Sequence, residues 1–286
     1  MALRTILAAN NYGKSAIRVV KVTRSGLAGR HELSDVTVGV QFEGEYESVH
    51  RAGDNSVVLP TDTMKNTVYA LAGKHLTSEI ETFGLALANH FLVDNDALKR
   101  VRVDIDERPW QRMTVGGSPH AHAFTREGAE QRLCRVVGTR EGRLVESGIQ
   151  DLLILKTSLS AFEGYLSDRY TTLRETRDRL LATVLNVTWR YSEADAAFAR
   201  CRTNVRRALL ETFANHDSHS VQHTAFAMGE AALTAAVELK EIRLSLPNKH
   251  HLLVDLAPFG LQNRNEIFVP ADEPHGLIEV TVRRDS

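Results

Sequence analysis

Two patterns of apolar and polar residues run along the chain, and the first is the alternation that is typical of β-strands. Residues 17–22 (IRVVKV) and 36–42 (VTVGVQF) are rich in β-branched side chains with a period of two, and the segment 25–29 (SGLAG) between them carries turn glycines. The alternation returns at 101–106 (VRVDID), where valine and isoleucine alternate with charged residues. The N-terminal half therefore predicts a β-hairpin and a further strand.

The second pattern is the three- to four-residue period of amphipathic helices. It runs through 78–92 (SEIETFGLALANHFL), where Ser78 and Glu81 have the spacing of a capping box. Another helix is predicted to begin at Ser192, with Asp195 completing its capping box. The apolar face of that helix is formed by Phe198, Cys201, Val205, Leu209 and Phe213.

From about residue 130 the order of hairpin, helices and strands recurs. The strand-like segments of this half are 132–138, 149–156, 241–246, 250–256 and 276–282. A further helix is predicted from about Ser220. The repetition predicts an α+β protein of two tandem domains of related plan, with mostly antiparallel sheets and helices on one face. We expect the boundary in the polar stretch 116–131, which gives domains at 1–130 and 131–286.

Composition and charge narrow the class of protein further. The chain has 286 residues and is 43% hydrophobic, which is enough for a substantial core. With 35 Lys and Arg residues against 36 Asp and Glu residues, it offers no overall attraction to nucleic acid or to an anionic membrane. Cys134 and Cys201 lie far apart without metal-ligand spacing, and no apolar run reaches the roughly 18 residues that span a bilayer. We expect a cytoplasmic protein.

The motifs of common cofactor and nucleophile sites do not occur in the sequence. It contains no GxGxxG, GxxxxGK[ST] or GxSxG, so nothing encodes a dinucleotide site, a P-loop or a serine nucleophile elbow. The candidates that remain are Lys14, Thr61, Asp62, Phe162, Arg179, Val221, Gln222, Asn248 and His250. Most have an ordinary interpretation when taken alone, since Lys14 precedes a strand, Phe162 suits a core and Arg179 ends a charged run.

Thr61 and Asp62 precede the helical segment TMKNTVYALA and have two compatible interpretations. Both residue types cap the backbone N–H groups of helix N-termini. A helix N-terminus also presents N–H donors and a positive dipole end to an anionic ligand, and a threonine hydroxyl can pass a proton. A lysine buried beside other cations can act as a general base near neutral pH. A pair of Lys14 and Thr61 would therefore be a more capable base than either residue alone.

Histidines occur in two close pairs. The HAH segment, 120–122, has the i, i+2 spacing of ligands on a strand, but it lies in a predicted loop without a carboxylate cluster, which disfavours a metal site. In NKHH, strand alternation directs His250 and His251 to opposite faces, so the pair is poorly placed to chelate one ion. Asn248 shares the face of His250. Pro247 is expected to mark the entry to this strand.

Long motifs in order along nearly the whole chain resemble the urate oxidase (uricase) family, in its bacterial type. These motifs are NNYGKSAIRVVKV, TDTMKNTVYALA, HAHAF, AFEGYLSDRYTTLRETRDRLLAT, SVQHTAFAMGEA, SLPNKHHLLVDL and GLIEVTV. The resemblance implies two tunnelling-fold (T-fold) domains per chain and a homotetramer that forms a tunnel. It also implies active sites at subunit interfaces, where Lys14, Thr61 and Asp62 of one chain meet residues of its neighbour. Those residues are Phe162, Arg179, Val221 and Gln222.

The resemblance further implies the conversion of urate, O2 and water to 5-hydroxyisourate and H2O2 in purine catabolism, without a cofactor. Arg179 and Gln222 would clamp the edges of urate, and Phe162 would stack on its ring. The backbone N–H groups of Asp62 and Val221 would complete the hydrogen bonding.

The proton chemistry implied by the resemblance falls to three residues. Lys14, Thr61 and His250 would form a proton relay, with the Thr61 hydroxyl also reaching urate, and Asn248 would bind O2 or water. Pro60 departs from the expected pattern, because it restrains the backbone just before Thr61.

Three other functions are alternatives to this interpretation. A different T-fold enzyme that binds a purine or pterin would typically anchor the ring with a glutamate, whereas this chain offers Arg179 and Gln222. A non-catalytic purine-binding module would keep these two residues and lose the proton relay. A metal-dependent oxidase would need a cluster of ligands.

Overall fold

A computed structural model describes residues 5–24, 29–93 and 95–285, and the chain divides into two compact units. The first comprises Met1–Gly148 with Glu193–Ala199, and the second comprises Ile149–Ser192 with Arg200–Ser286. The two units are defined by packing within the chain, and their bounds differ from those of the predicted domains. The division into related domains at 1–130 and 131–286 stays a prediction.

The first unit is built on antiparallel strands. Its elements are β1 (Tyr12–Thr23), β2 (Glu32–Gly44), α1 (Glu47–Ala52), α2 (Thr61–His75), α3 (Ile80–Val93), β3 (Leu98–Glu107), β4 (Gln111–Val115), β5 (Ser118–Thr125), β6 (Gln131–Gly138) and the start of β7 (Arg143–Lys156). Four strands are neighbours in the order β1-β2-β3-β6, and β4 pairs with β5 in a separate hairpin. The hairpin predicted from 17–22 and 36–42 is confirmed as β1 and β2. Its turn at 25–29 falls mostly outside the described residues.

The core of this unit follows from the alternation in β3. Val101, Val103 and Ile105 are fully buried, whereas the two residues between them are partly exposed. Helix α3 packs on β3 and β6. A Cβ on Gly84 of α3 would lie 2.8 Å from Val136 Cγ2 of β6, so the glycine permits a close approach of the helix to the sheet.

The second unit also combines antiparallel strands with helices. It contains the end of β7, then β8 (Leu181–Tyr191), most of α4 (Phe198–Asn215), α5 (Val221–Ala235), β9 (Leu239–Leu253), a short 3-10 helix (Ala257–Phe259) and β10 (Phe268–Arg283). β9 pairs antiparallel with β8 on one side and with β10 on the other, and α5 packs on β9 and β10. The apolar face predicted for α4 is confirmed, because Phe198, Cys201, Val205, Leu209 and Phe213 are all buried.

Both predicted capping boxes are wrong. The helix expected at Ser192 begins at Phe198, because the Ser192 N–H donates to Glu238 O at 2.8 Å and holds that residue outside the helix. The helix expected at Ser78 begins at Ile80, and Glu81 is buried. The Glu81 carboxylate accepts a hydrogen bond from Ser147 Oγ at 2.6 Å instead of returning to the helix terminus.

The predicted strands 241–246 and 250–256 are one strand, β9, and Pro247 lies inside it and not at its entry. A proline cannot donate a backbone hydrogen bond, but it can accept one, and Pro247 O accepts from Thr183 Oγ1 of β8 at 2.9 Å. The HAH segment is likewise part of a strand, β5, and not of a loop. Gly116 and Gly117, both at positive φ, form the turn that precedes it.

Within the described residues, no helix is long and apolar enough to cross a membrane.

Two helical glycines provide a matched test of the packing. A Cβ on Gly229 of α5 would lie 2.5 Å from Val282 Cγ2 of β10, whereas nothing lies within 4 Å of a Cβ on Gly73 of α2. We expect Gly229→Ala to lower the free energy of unfolding by about 1–3 kcal/mol through overpacking. Gly73→Ala should raise it by about 0.5–1 kcal/mol through helix propensity. Urea denaturation of both variants checks this, and equal effects would contradict the close packing of α5.

Candidate functional site

Lys14 lies at an irregularity in β1. The pairing of β1 with β2 shifts register between Lys14 and Ile17, and Ala16 within that bulge has a φ of 58°. A bulge turns neighbouring side chains away from strict alternation, which is why bulges are frequent beside binding sites. The Lys14 side chain is partly exposed.

Thr61 and Asp62 are the first two residues of α2, and neither is its N-cap. The cap position belongs to Pro60, which makes no side-chain hydrogen bond to the helix. Because the first N–H groups of a helix have no acceptor within it, the amides of Thr61 and Asp62 are open to a ligand, at the positive end of the helix dipole. The expectation that Thr61 and Asp62 cap this helix is therefore wrong, whereas the anion-binding interpretation is compatible with this geometry.

The Asp62 carboxylate is engaged within its own helix. It pairs with Lys65 and accepts a hydrogen bond from Asn66 Nδ2 at 3.1 Å. The hydrogen bond and charge of Lys65 lower the pKa of Asp62, and the charge of Lys14 contributes in the same direction. Lys14 therefore lies within electrostatic range of this helix N-terminus.

Phe162 and Arg179 are brought together by backbone hydrogen bonds within an otherwise irregular segment of the second unit. The Phe162 N–H donates to Thr176 O at 2.7 Å, and the Thr176 N–H donates back to Phe162 O at 3.1 Å. The Arg179 N–H donates to Ser160 O at 2.9 Å. These bonds place the Arg179 guanidinium carbon 5.1 Å from the centre of the Phe162 ring. Tyr165 stacks with the same ring at a centroid distance of 5.0 Å.

Arg179 carries a charge that folding has partly desolvated. Burial lowers the pKa of its guanidinium, and its buried Nε has no hydrogen-bond partner among the described residues. A buried N–H of a cation left without an acceptor is costly, so Nε of Arg179 is a candidate donor to a bound ligand. A planar group with acceptors along one edge satisfies this donor geometry.

Val221 and Gln222 open helix α5, whose N-cap is Ser220. Ser220 Oγ accepts the His223 N–H at 3.1 Å, and Ser220 O accepts the Thr224 N–H at 3.1 Å. The amides of Val221 and Gln222 precede these bonds and have no acceptor within the helix. The Val221 side chain is buried, whereas that of Gln222 is exposed.

Residue Ser218 connects this helix terminus to the segment of Phe162. Its N–H donates to Leu159 O at 3.0 Å, and its carbonyl oxygen accepts from the Ala161 N–H at 2.7 Å. Phe162, Arg179, Val221 and Gln222 therefore belong to one locally cross-linked part of the second unit.

Asn248 and His250 lie on β9, opposite an interruption in β10. Asn248 pairs with Gly276 and His250 with Ala271, so the residues between those two partners bulge away from β9. On the other side, Asn248 pairs with Thr183 of β8, a strand that begins two residues after Arg179. Strand alternation separates His251 from both, and His251 Nδ1 lies 3.2 Å from the carbonyl oxygen of Lys249.

The structure thus groups the nine candidates by unit. Lys14, Thr61 and Asp62 belong to the first unit, and the other six belong to the second. Ser218 and Tyr165 were not singled out from the sequence. Tyr165 stands in the AFEGY motif, so its aromatic character was a usable signal, whereas a lone serine carries none.

His120 and His122 of β5 contact each other with ring centroids 4.6 Å apart, and the His31 ring lies 6.0 Å from that of His122. Across the residues that the structure describes, no three or more His, Cys, Asp or Glu side chains are grouped so that they could hold a metal ion.

Comparison with known proteins adds an independent observation. The sequence profile of the family described as Uricase matches residues 10–137 and 145–279. The chain is 42% identical to a uricase of Arthrobacter globiformis, covering 99% of this chain and 91% of that protein, and 37% identical to a uricase of Dictyostelium discoideum, covering 96% of each. The crystal structure of the Arthrobacter globiformis uricase superposes with a TM-score of 0.94, covering 99% of this chain and 96% of that one.

We expect a histidine beside α5, His216, to make the stability of the protein depend on pH. His216 Nδ1 lies 3.2 Å from Thr224 Oγ1, and its ring contacts that of His223 at 4.3 Å. Burial, and then the charges of His223 and Lys156, lower the pKa of His216 below its ordinary value of 6.5, although Asp217 acts in the opposite sense. The unfolded chain therefore binds a proton at this histidine more readily than the folded chain does. The contribution of neutral His216 to the free energy of unfolding is fully present above about pH 6.5, and it is lost as the pH drops below that value.

We expect the urea midpoint of the wild-type protein to fall between about pH 7.5 and about pH 5.5, and to fall less in His216→Gln. His50→Gln, at an exposed histidine of α1, is the control and should show the same change of urea midpoint with pH as the wild-type protein. The same pH dependence in His216→Gln and wild type would contradict the assignment.

Proposed function

The chain belongs to the uricase family, and on that premise we propose how it oxidises urate with O2 as the electron acceptor. The reaction takes urate, O2 and water to 5-hydroxyisourate and H2O2, a two-electron oxidation in purine catabolism. The fold of the chain agrees with this activity, because the T-fold architecture expected from the sequence is confirmed by the match to a uricase crystal structure. The proposal concerns the residues that bind urate, the residues that move its protons and the assembly in which they meet.

The observation that carries the proposal is the buried Nε of Arg179, for which the described residues offer no acceptor. Urate is a planar anion whose edge alternates carbonyl oxygens and ring nitrogens. A forked guanidinium donates two parallel hydrogen bonds to such an edge, and its charge neutralises the anion. Because no residue that the structure describes accepts a hydrogen bond from the buried Nε of Arg179, bound urate would supply the acceptor.

We assign the remaining surfaces of urate to four further groups. Gln222 would use its amide as donor and acceptor on the neighbouring edge, and Phe162 would stack on the ring. The N–H of Val221, at the start of α5, would donate to an acceptor of the anion, as would the N–H of Asp62 at the start of α2. Two helix N-termini would then direct their positive ends at one anion.

The chemistry requires proton removal, because a more highly deprotonated urate donates electrons to O2 more readily. We assign a proton relay to Lys14, Thr61 and His250, with Thr61 Oγ also contacting urate. Asn248 would hold O2 and then water beside the ring, and its amide suits both a donor and an acceptor role. Since the substrate itself supplies the electrons, the proposal includes no cofactor.

We place the complete site at the interface between subunits of a homotetramer. Lys14, Thr61 and Asp62 of one chain would face Phe162, Arg179, Val221 and Gln222 of another. Exposed apolar side chains of β9 and β10 support an assembly, because Leu252, Leu253, Val269 and Leu277 are at least half exposed. Exposed apolar surface of this kind is typical of protein interfaces.

A cytoplasmic location is also part of the proposal. Cys134 and Cys201 are both free and buried, which suits a reducing compartment, where thiols stay unpaired.

The role of Arg179 in binding urate is tested by substituting two arginines that lie two residues apart. Arg179→Ala should raise the KM for urate by about 10- to 100-fold, because it removes charge-assisted hydrogen bonds to the anion. Arg177 is the matched control, because its side chain is 89% exposed and pairs with Glu163 at 3.1 Å, so Arg177→Ala should change KM by less than about twofold.

The measurement is loss of the ultraviolet absorbance of urate with a parallel assay of H2O2, on protein dialysed against EDTA. Equal effects of the two substitutions would contradict the role of Arg179. Loss of wild-type activity on dialysis would contradict the cofactor-free reaction, and no consumption of urate at all would contradict the function.

The shared site is tested by combining two impaired variants at a urate concentration below the KM of Arg179→Ala. Lys14→Met should lower kcat while urate binding is largely kept, whereas Arg179→Ala weakens binding. If a site takes Lys14 from one chain and Arg179 from another, co-expression of the two variants should restore sites with both native residues, up to about a quarter of wild-type activity under random assembly.

Co-expression of Lys14→Met with Thr61→Ala is the matched control. These two residues would come from the same chain, so every site in the mixture would carry one defect and no activity should return. Restoration in the control, or no restoration with Arg179→Ala, would contradict sites at an interface between chains.

A further inference from the structure

Ser218 is a fully buried residue whose side chain makes one hydrogen bond. It has no exposed surface, and its Oγ donates to Ser220 O at 3.0 Å. Its backbone N–H and carbonyl oxygen are both used in bonds to the segment of Phe162. These backbone bonds hold Ser218 in a fixed position, from which its hydroxyl donates to the residue that caps α5.

The acceptor of this bond belongs to the peptide unit that matters for binding. The carbonyl of Ser220 and the N–H of Val221 lie in one rigid plane and point in opposite directions. A hydrogen bond that holds the Ser220 carbonyl therefore also sets the direction of the Val221 N–H. Ser220 O additionally accepts the Thr224 N–H at 3.1 Å, and hydrogen bonds in such a chain polarise one another, which strengthens the donor at its far end.

We propose that Ser218 is a positioning residue for urate binding: its hydroxyl aims and strengthens the Val221 N–H as a donor to the substrate. The inference rests on the proposed function, in which that N–H contacts urate. Ser218 itself touches no substrate, so its effect is on affinity for urate and not on the chemical step.

Ser160 is a natural control for this hydroxyl. Ser160 and Ser218 form an isolated β-bridge and are both fully buried. Ser160 Oγ, however, has no hydrogen-bond partner among the described residues. The Arg179 N–H bonds to the backbone oxygen of Ser160, which an alanine keeps. Replacing either serine by alanine thus removes a buried hydroxyl from the same pair, but only one replacement removes a bond to the peptide of Val221.

The experiment compares Ser218→Ala with Ser160→Ala. Ser218→Ala should raise the KM for urate by about 3- to 10-fold, the loss expected for one hydrogen bond, with kcat changed by less than about twofold. The Kd for urate measured without O2, where no turnover occurs, should rise by the same factor. Ser160→Ala should leave both constants within about twofold of wild type.

A structural role alone would affect the two variants alike, so equal KM and Kd values in Ser218→Ala and Ser160→Ala would overturn the inference. A fall in kcat with unchanged Kd in Ser218→Ala would also overturn it. If Ser218→Ala does not fold, Ser218→Cys retains a weak donor and should give a smaller rise in KM, and an unchanged KM would be decisive against the inference. The proposed function fails separately, if wild type and Ser160→Ala consume no urate.

Discussion

The guanidinium of Arg179 has been taken partly out of water, and its Nε has no acceptor among the described residues. Such a group destabilises the folded chain unless a ligand completes it, so the surrounding structure must hold it in place. Backbone hydrogen bonds do this, because they tie Arg179 to Ser160, Phe162 to Thr176, and the segment of both to Ser218. Ser218, two residues before the N-cap of α5, is thereby joined to the same segment as the backbone of Arg179, and an anion is the ligand that a cation and a helix N-terminus favour.

Departures from regular structure coincide with the candidate residues. Lys14 borders a bulge in β1, and Asn248 and His250 face the interrupted part of β10. Pro60 leaves the N-terminus of α2 without a side-chain cap. Regular strands and capped helices satisfy their own backbone groups, whereas these positions leave donors or redirected side chains for other partners. Pro60, which departs from the expected sequence pattern, brings no side-chain acceptor to this terminus, so the N–H of Asp62, the second residue of α2, is not used by a cap.

Local patterns predicted the elements well and their ends poorly. The apolar faces of α3 and α4 and the alternation of β3 were readable, because burial of one face requires a matching period. The starts of both helices were misplaced, because Ser192 bonds to Glu238, and Glu81 to Ser147, across long stretches of chain. No local spacing contains those partners. For the same reason, β9 was predicted as two strands that meet at Pro247. The hydroxyl that donates to Pro247 O belongs to Thr183, on a neighbouring strand.

The sequence by itself determined the α+β class, the buried faces and, through long motifs, the family and its reaction, since these depend on residue types and short spacings. Only the tertiary structure decided that Nε of Arg179 has no acceptor in the described part of the chain, that the start of α2 has no side-chain cap and that the Ser218 hydroxyl donates to the Ser220 carbonyl. Whether a polar group is satisfied depends on every atom brought near it by folding. A one-dimensional pattern therefore indicates which residues carry chemistry, and the fold decides which of them remain free to use it.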